Sequence, residues 1–298
     1  MTSEAILYIQ VPFSVLNQPW TQRLQVNGWD SARDKRYAAA VVGELEANAE
    51  EFADVTITAV RIGGGRTSQI GGEAMWSIVR TLRERYTIAE GASVSMECAL
   101  ADISGASMPY FKRSGINRFD LEMLALASTA FPRVNKADNF SYYPVACNSF
   151  LHSETNDSLG LYLVAGFPKV KDIETHRTFL EARYYNNARV AIGLYEGPDR
   201  DDARTQAQVE DARAVLTAAG FTEYVPLRFA REGCEDPFFQ KLHAGSDVIG
   251  VGLGAQTLFD GAISTSTDDL DVYLKHSRDF SKITVSAVPA DGAMPLCL

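Results

Sequence analysis

Apolar positions along the chain switch between two periods. Residues 5–11, 55–62, 93–100, 117–124, 159–166 and 190–195 are short apolar runs rich in β-branched side chains, the pattern of strands. Between them the spacing lengthens to three and four. Residues 33–53 repeat Ala, Val and Leu on one face, and residues 72–86 place Met75, Ile78, Val79 and Leu82 together. Residues 108–115 read as a short helix closed by Gly115, and residues 172–184 as another helix. Strand–helix units of this length predict an α/β fold with a parallel sheet. Six of them predict a partial (β/α)6 TIM-like barrel over residues 1–200. Gly197, Pro198 and Asp199 punctuate the pattern there. Residues 201–298 form a C-terminal α/β extension packed on the barrel. It holds a helix at 201–219, a strand at 223–230, an apolar glycine-rich stretch at 247–261 and a helix at 268–276. Residues 135–157 have no period and are too long for an ordinary connection, which suits a functional loop.

Composition narrows the function classes. The chain has 298 residues, 46 % hydrophobic and 22 % charged, a globular balance. The net charge of −10 comes without a basic cluster, so nucleic acid is not an expected partner. No apolar run reaches the roughly 18–20 residues that span a bilayer, and residues 1–10 do not read as a secretory signal. A cytoplasmic protein is expected, with a small-molecule substrate; a homodimer is compatible with the sequence. Cys98, Cys147, Cys234 and Cys297 are too far apart for a cysteine metal site, and no metal site is expected.

Several segments, in order, resemble the motifs of radical S-adenosylmethionine (SAM) enzymes of the oxygen-independent coproporphyrinogen oxidase type. LYIQVPFS (7–14) resembles the opening LYIHIPFC, and IGGGRTS (62–68) the glycine motif IGGGTPS. SGINRFDL (114–121) resembles AGVNRLSLG, and FTEYVPLRFAREG (221–233) resembles YEQYEISNFARPG. SDVIGVGLGAQTLFDG (246–261) resembles GDYLGIGPGAHSYLGG, and residues 268–274 the closing DLEAYL helix. The resemblance implies the radical-SAM-type barrel. It also implies that Gly63, Gly64 and Gly65 face the methionine end of SAM and that Glu97 lies near it. The departures are as informative. The family's C-x3-C-x2-C positions hold Ser14, Gln18 and Thr21. A hydroxyl or an amide does not replace a thiolate on an iron–sulfur cluster, so no cluster and no radical chemistry are expected. Tyr162 stands where the family has a ribose-contacting aspartate, and Leu124 where it has a glutamine.

Side chains alternate across a strand, which sorts the interior. Phe119, Leu121 and Met123 face the helices; Arg118, Asp120 and Glu122 then face the barrel axis. Leu7, Ile9 and Val11 likewise face outward, and Tyr8 and Gln10 inward. Glu97, Asp120 and Glu122 are therefore the candidate catalytic carboxylates. Tyr8, Gln10, Gly63, Gly64, Gly65 and Tyr162 are candidates for holding SAM, and Arg118, Tyr195 and Gln256 for contacting substrate. Buried carboxylates need partners. Either the acids serve chemistry, or Arg118 or another interior base neutralises them in a structural ion-pair network. Three functions fit. The first is a cluster-free enzyme that binds SAM or a related molecule and performs polar transfer or intramolecular displacement in bacterial biosynthesis. The second is a non-catalytic carrier of a tetrapyrrole or haem, or the inactive partner of an active enzyme. The third is a metal-dependent lyase or hydrolase using the carboxylates.

Overall fold

The computed structural model describes residues 3–14, 24–28, 30–99, 108–122, 158–165, 190–196 and 203–289. In chain order the strands and helices are β1 (Ser3–Gln10), β2 (Phe13–Ser14), β3 (Val26–Asn27), α1 (Ser31–Asn48), β4 (Val55–Gly63), α2 (Gly72–Arg85), β5 (Thr87–Ala99), α3 (Met108–Arg113), β6 (Arg118–Glu122), β7 (Ser158–Ala165) and β8 (Val190–Glu196). They continue with α4 (Ala203–Ala218), β9 (Thr222–Val225), β10 (Arg228–Ala230), α5 (Pro237–His243), β11 (Asp247–Val251), β12 (Gln256–Phe259), β13 (Ala262–Ser266), α6 (Leu270–His276), α7 (Phe280–Ile283) and β14 (Thr284–Pro289).

Twelve strands form one sheet in the order β14-β13-β12-β11-β1-β4-β5-β6-β7-β8-β10-β9. The six expected strands are its parallel centre, β1, β4, β5, β6, β7 and β8; β2 and β3 pair apart from it. A seventh parallel strand, β11, pairs with the outer side of β1, Ala5 against Asp247 and Ile9 against Val251. Segments from both sides of residue 200 thus share one sheet. The stretch expected as a single strand at 223–230 is instead a hairpin, β9 against β10. Its turn puts Leu227 at φ 62°, a left-handed position where pattern reading anticipates Gly or Asn. β5 starts six residues before its expected strand, and α1 stops five residues before the expected end at 53. The helix expected at 172–184 lies outside the described residues.

Strand parity divides the apolar side chains between two faces. Leu7, Ile9, Val11, Val60, Ile62, Phe119, Leu121 and Leu161 pack outward against Tyr37 and Val41 of α1 and Met75, Ile78, Val79 and Leu82 of α2. Ile6, Tyr8, Ala59, Tyr162 and Val248 face the other way and pack on Phe238 and Phe239 of α5. α1 starts where Asp30 accepts from the backbone N–H groups of Ala32 and Arg33. Glu44, 1 % exposed, ties α1 to the far end of the chain: it accepts from Gly252 N at 2.9 Å and from the Tyr273 hydroxyl at 2.6 Å. Burial pushes its carboxyl up to about 7, against the pull of those two bonds. Tyr37 donates to Gln10 O (2.7 Å) and accepts from Leu253 N (3.0 Å), which fixes the end of β1.

Candidate functional site

β4 delivers Arg61, Gly63 and then Gly64 to the face of the sheet that α5 covers. Gly64 has φ 99°, which L side chains rarely adopt. Its N–H donates to Glu97 Oε2 at 2.8 Å. A Cβ on Gly64 would run into the Gln10 carboxamide. A Cβ on Gly63 would lie 2.7–3.0 Å from the Glu97 carboxylate. A Cβ on Gly65 would meet the carbonyls of Phe13 and Val11 at 2.5 and 2.9 Å. The Tyr8 hydroxyl holds Gln10 in place, donating to its Oε1 at 2.7 Å. The glycine strip is therefore packed against this chain's own Gln10 and Glu97, with no space left for a methyl group.

Beneath the strip lies a buried network of arginines and carboxylates. Arg61, wholly buried, donates from Nη2 to Glu97 Oε1 at 2.6 Å and from Nη1 to Asp120 Oδ2. Arg118 Nε donates to Asp120 Oδ1 at 3.1 Å and lies 3.2 Å from Asp236 Oδ2. Arg61 Nη1 is 3.7 Å from the same Asp236 oxygen. Arg228, from β10, lies over the rings of Tyr162 (5.1 Å) and Phe239 (4.3 Å). Arg61 lies over the same two rings, at 5.5 and 4.7 Å. Arg61 and Arg118 thus face three carboxylates, and Arg61 and Arg228 share an aromatic floor. Burial raises the Asp120 carboxyl, and Arg118 and Arg61 pull against that. Burial opposes the charge of Arg118, but Asp236 and Asp120 outweigh it and hold the guanidinium above its ordinary value. Sheet geometry makes the arrangement necessary: a Cβ on Gly160 would collide with the Asp120 carboxylate, and one on Gly193 would lie 2.5 Å from Arg228 Nη1 and the Tyr162 ring.

The residues expected from sequence distribute as follows. Tyr8, Gln10, Gly63, Gly64 and Glu97 meet at the strip; Gly65 borders it. Arg118, Asp120 and Tyr162 meet in the network below. Glu122 stands in β6 opposite Tyr162, and Tyr195 stands in β8 opposite Val164; their side chains are outside the described residues. Gln256 opens β12, where its amide donates to Thr265 Oγ1 at 3.4 Å, and no described contact brings it to the network. Four members were not anticipated: Arg61, Arg228, Asp236 and Phe239. Arg61 has the inward parity of Ala59 and Gly63, so the argument applied to β6 would have found it. Asp236 and Phe239 arrive from α5 through tertiary packing, and only Asp236-Pro237 hints at a helix start.

Fold and site together define an α/β scaffold of HemN-like fold with a buried arginine–carboxylate network on one face of its central sheet. The structure superimposes on coproporphyrinogen III oxidase (HemN) from Escherichia coli, described as a radical SAM enzyme, with a TM-score of 0.78 at 16 % identity, covering 97 % of this chain and 72 % of that one. Among curated proteins the chain is similar to those named Heme chaperone HemW. It is 24 % identical over 217 residues to that of Mycobacterium tuberculosis, covering 67 % of this chain and 55 % of that protein. It is 22 % identical over 289 residues to that of Escherichia coli, covering 92 % and 75 %. The chain thus spans little more than half the length of the mycobacterial relative. No family model matches the chain.

Proposed function

We propose that this protein is a non-catalytic carrier of haem or a related tetrapyrrole, built on a HemN-like scaffold that has given up SAM chemistry. One observation carries the reading: both oxygens of Glu97 and both of Asp120 are engaged, by Arg61, Arg118 and Gly64 N. A general base needs an oxygen within reach of a substrate proton. Here that would require breaking a buried ion pair, which costs several kcal/mol. The enzyme reading, polar transfer from SAM with one of these acids as base, is the less supported for that reason. SAM also fits poorly at the strip, because Gln10 and Glu97 fill the space beside Gly63 and Gly64. A metal-dependent lyase is disfavoured too: Glu97, Asp120 and Asp236 converge on the Arg61 guanidinium, which stands where a cation would. The name shared by the relatives supports haem as the ligand.

Haemin added in steps to the purified chain is expected to give a saturable shift of its Soret absorbance near one equivalent. A linear, non-saturating response would overturn the carrier reading. SAM incubated with the protein is expected to be recovered unchanged by mass spectrometry. Product formation, abolished by Glu97→Gln, would restore the enzyme reading.

A further inference from the structure

The helix α5 covers one face of the central strands. It has seven residues, too few to be stable alone. It is held by its cap, Asp236 Oδ1 accepting from Phe238 N at 2.9 Å, and by Phe238 and Phe239 buried on Ile6, Tyr8, Ala59 and Tyr162. Its other face is in water: Gln240 and His243 are exposed. Gly233 (φ 77°) and Gly245 (φ 81°) bracket the segment, and a Cβ on either would touch nothing within 4 Å. Both ends therefore sit at unpacked glycines in the left-handed region, the kind of position that absorbs a hinge rotation.

What the segment puts inside is chemically specific. Asp236 presents a carboxylate between two guanidiniums, and Phe239 lays an aromatic ring under two. The fit is incomplete. Arg118 Nη2 and Asp236 Oδ2 are buried without a hydrogen bond, although the residues are 1 % and 0 % exposed. A forked guanidinium prefers a two-pronged carboxylate, whereas Asp120 and Asp236 both approach Arg118 at Nε and leave Nη2 without a hydrogen bond. The interior recognises an aromatic ring carrying a carboxylate, and the chain supplies an imperfect version of it.

Building on the carrier reading above, we propose that residues 234–244 are a displaceable plug, which a planar aromatic ligand bearing carboxylates replaces on Arg61, Arg118 and Arg228. A helix with its side chains is about 10 Å across, the scale of a tetrapyrrole ring. Its propionates would take the two-pronged contact that Asp236 does not make. Because the plug must leave first, the apparent affinity for such a ligand is the intrinsic one multiplied by the fraction of molecules with the plug out.

Haemin is the probe, on the full chain. Amide hydrogen exchange in the unmodified protein is expected to speed up across 234–244 when haemin binds, while β1, β4 and β6 stay protected. Phe239→Leu, which keeps an apolar side chain but removes the ring, and Asp236→Asn are each expected to tighten haemin binding by about tenfold. Haemin that binds with α5 still protected and with unchanged affinity in both variants overturns the plug and leaves the carrier reading intact. Haemin that binds neither the unmodified protein nor the variants overturns both. The exchange measurement needs no substitution, so a variant that fails to fold does not remove the test.

Discussion

At the scale of single residues the molecule is governed by charges it has buried. Arg61 carries most of the burden, since Glu97, Asp120 and Asp236 all lie within 4 Å of its guanidinium. Replacing it with Met leaves those carboxylates without a cation, which costs roughly 3–5 kcal/mol. Urea denaturation is expected to show that loss for Arg61→Met, and most of it should return in the triple variant Arg61→Met, Glu97→Gln, Asp120→Asn. If Arg61→Met is as stable as the parent, the network is not what holds the interior. Glu44 gives a second, independent reading. Its folded pKa of about 7 exceeds the ordinary 4.5, so between those values the folded state binds more protons than the unfolded one. Stability from this group is therefore full below pH 4.5, falls as pH rises toward 7 and is level above. The fall is on the order of 3 kcal/mol by the conversion of pKa to free energy. Glu44→Gln keeps an acceptor for Tyr273 and Gly252 and does not titrate. Its midpoint of unfolding is expected to lose the part of the decline between pH 5 and 7 that the parent shows. Identical pH profiles would contradict the assignment.

At the scale of elements, local pattern and long-range packing part company. The parity of residues 118–122 alone turns Asp120 and Arg118 inward, and the same parity places Tyr8 and Gln10 beside the glycine strip. That worked because alternation is a property of the strand itself. The pairing of β11 with β1 is not, since nothing within 247–251 specifies its neighbour, and a six-strand reading left it in an extension. α5 was invisible for a related reason: seven residues show no helical period, and their burial depends on arginines from three distant strands. The hairpin at 222–230 is signalled by Pro226, which interrupts a strand, but its left-handed position is taken by Leu227 rather than Gly or Asn, so the pattern reads as one strand. The β12–β13 turn is better marked. Asp260 (φ 49°) and Gly261 (φ 72°) supply the two left-handed residues of a tight hairpin. Gly261→Ala meets no neighbouring atom, so its whole cost is backbone strain, roughly 1 kcal/mol. A change in thermal midpoint of a few degrees downward is expected; a rise would mean the turn relaxes to another type.

At the scale of the whole molecule, a sheet with the fold of HemN encloses a self-neutralised arginine–carboxylate set on the α5 side of its central strands. Charge of this kind in a packed interior stabilises little by itself. On the carrier reading, its guanidiniums would serve an anionic ligand once their internal partners leave. No described helix is long and apolar enough to cross a membrane, so the fold supplies no helical anchor among those residues. The difference between carrier and enzyme thus comes down to which ligand the interior admits. Calorimetric titration of the full chain with haemin and, separately, with SAM measures it directly. The account requires saturable heat from haemin and none from SAM; saturable SAM binding with haemin ignored would contradict it.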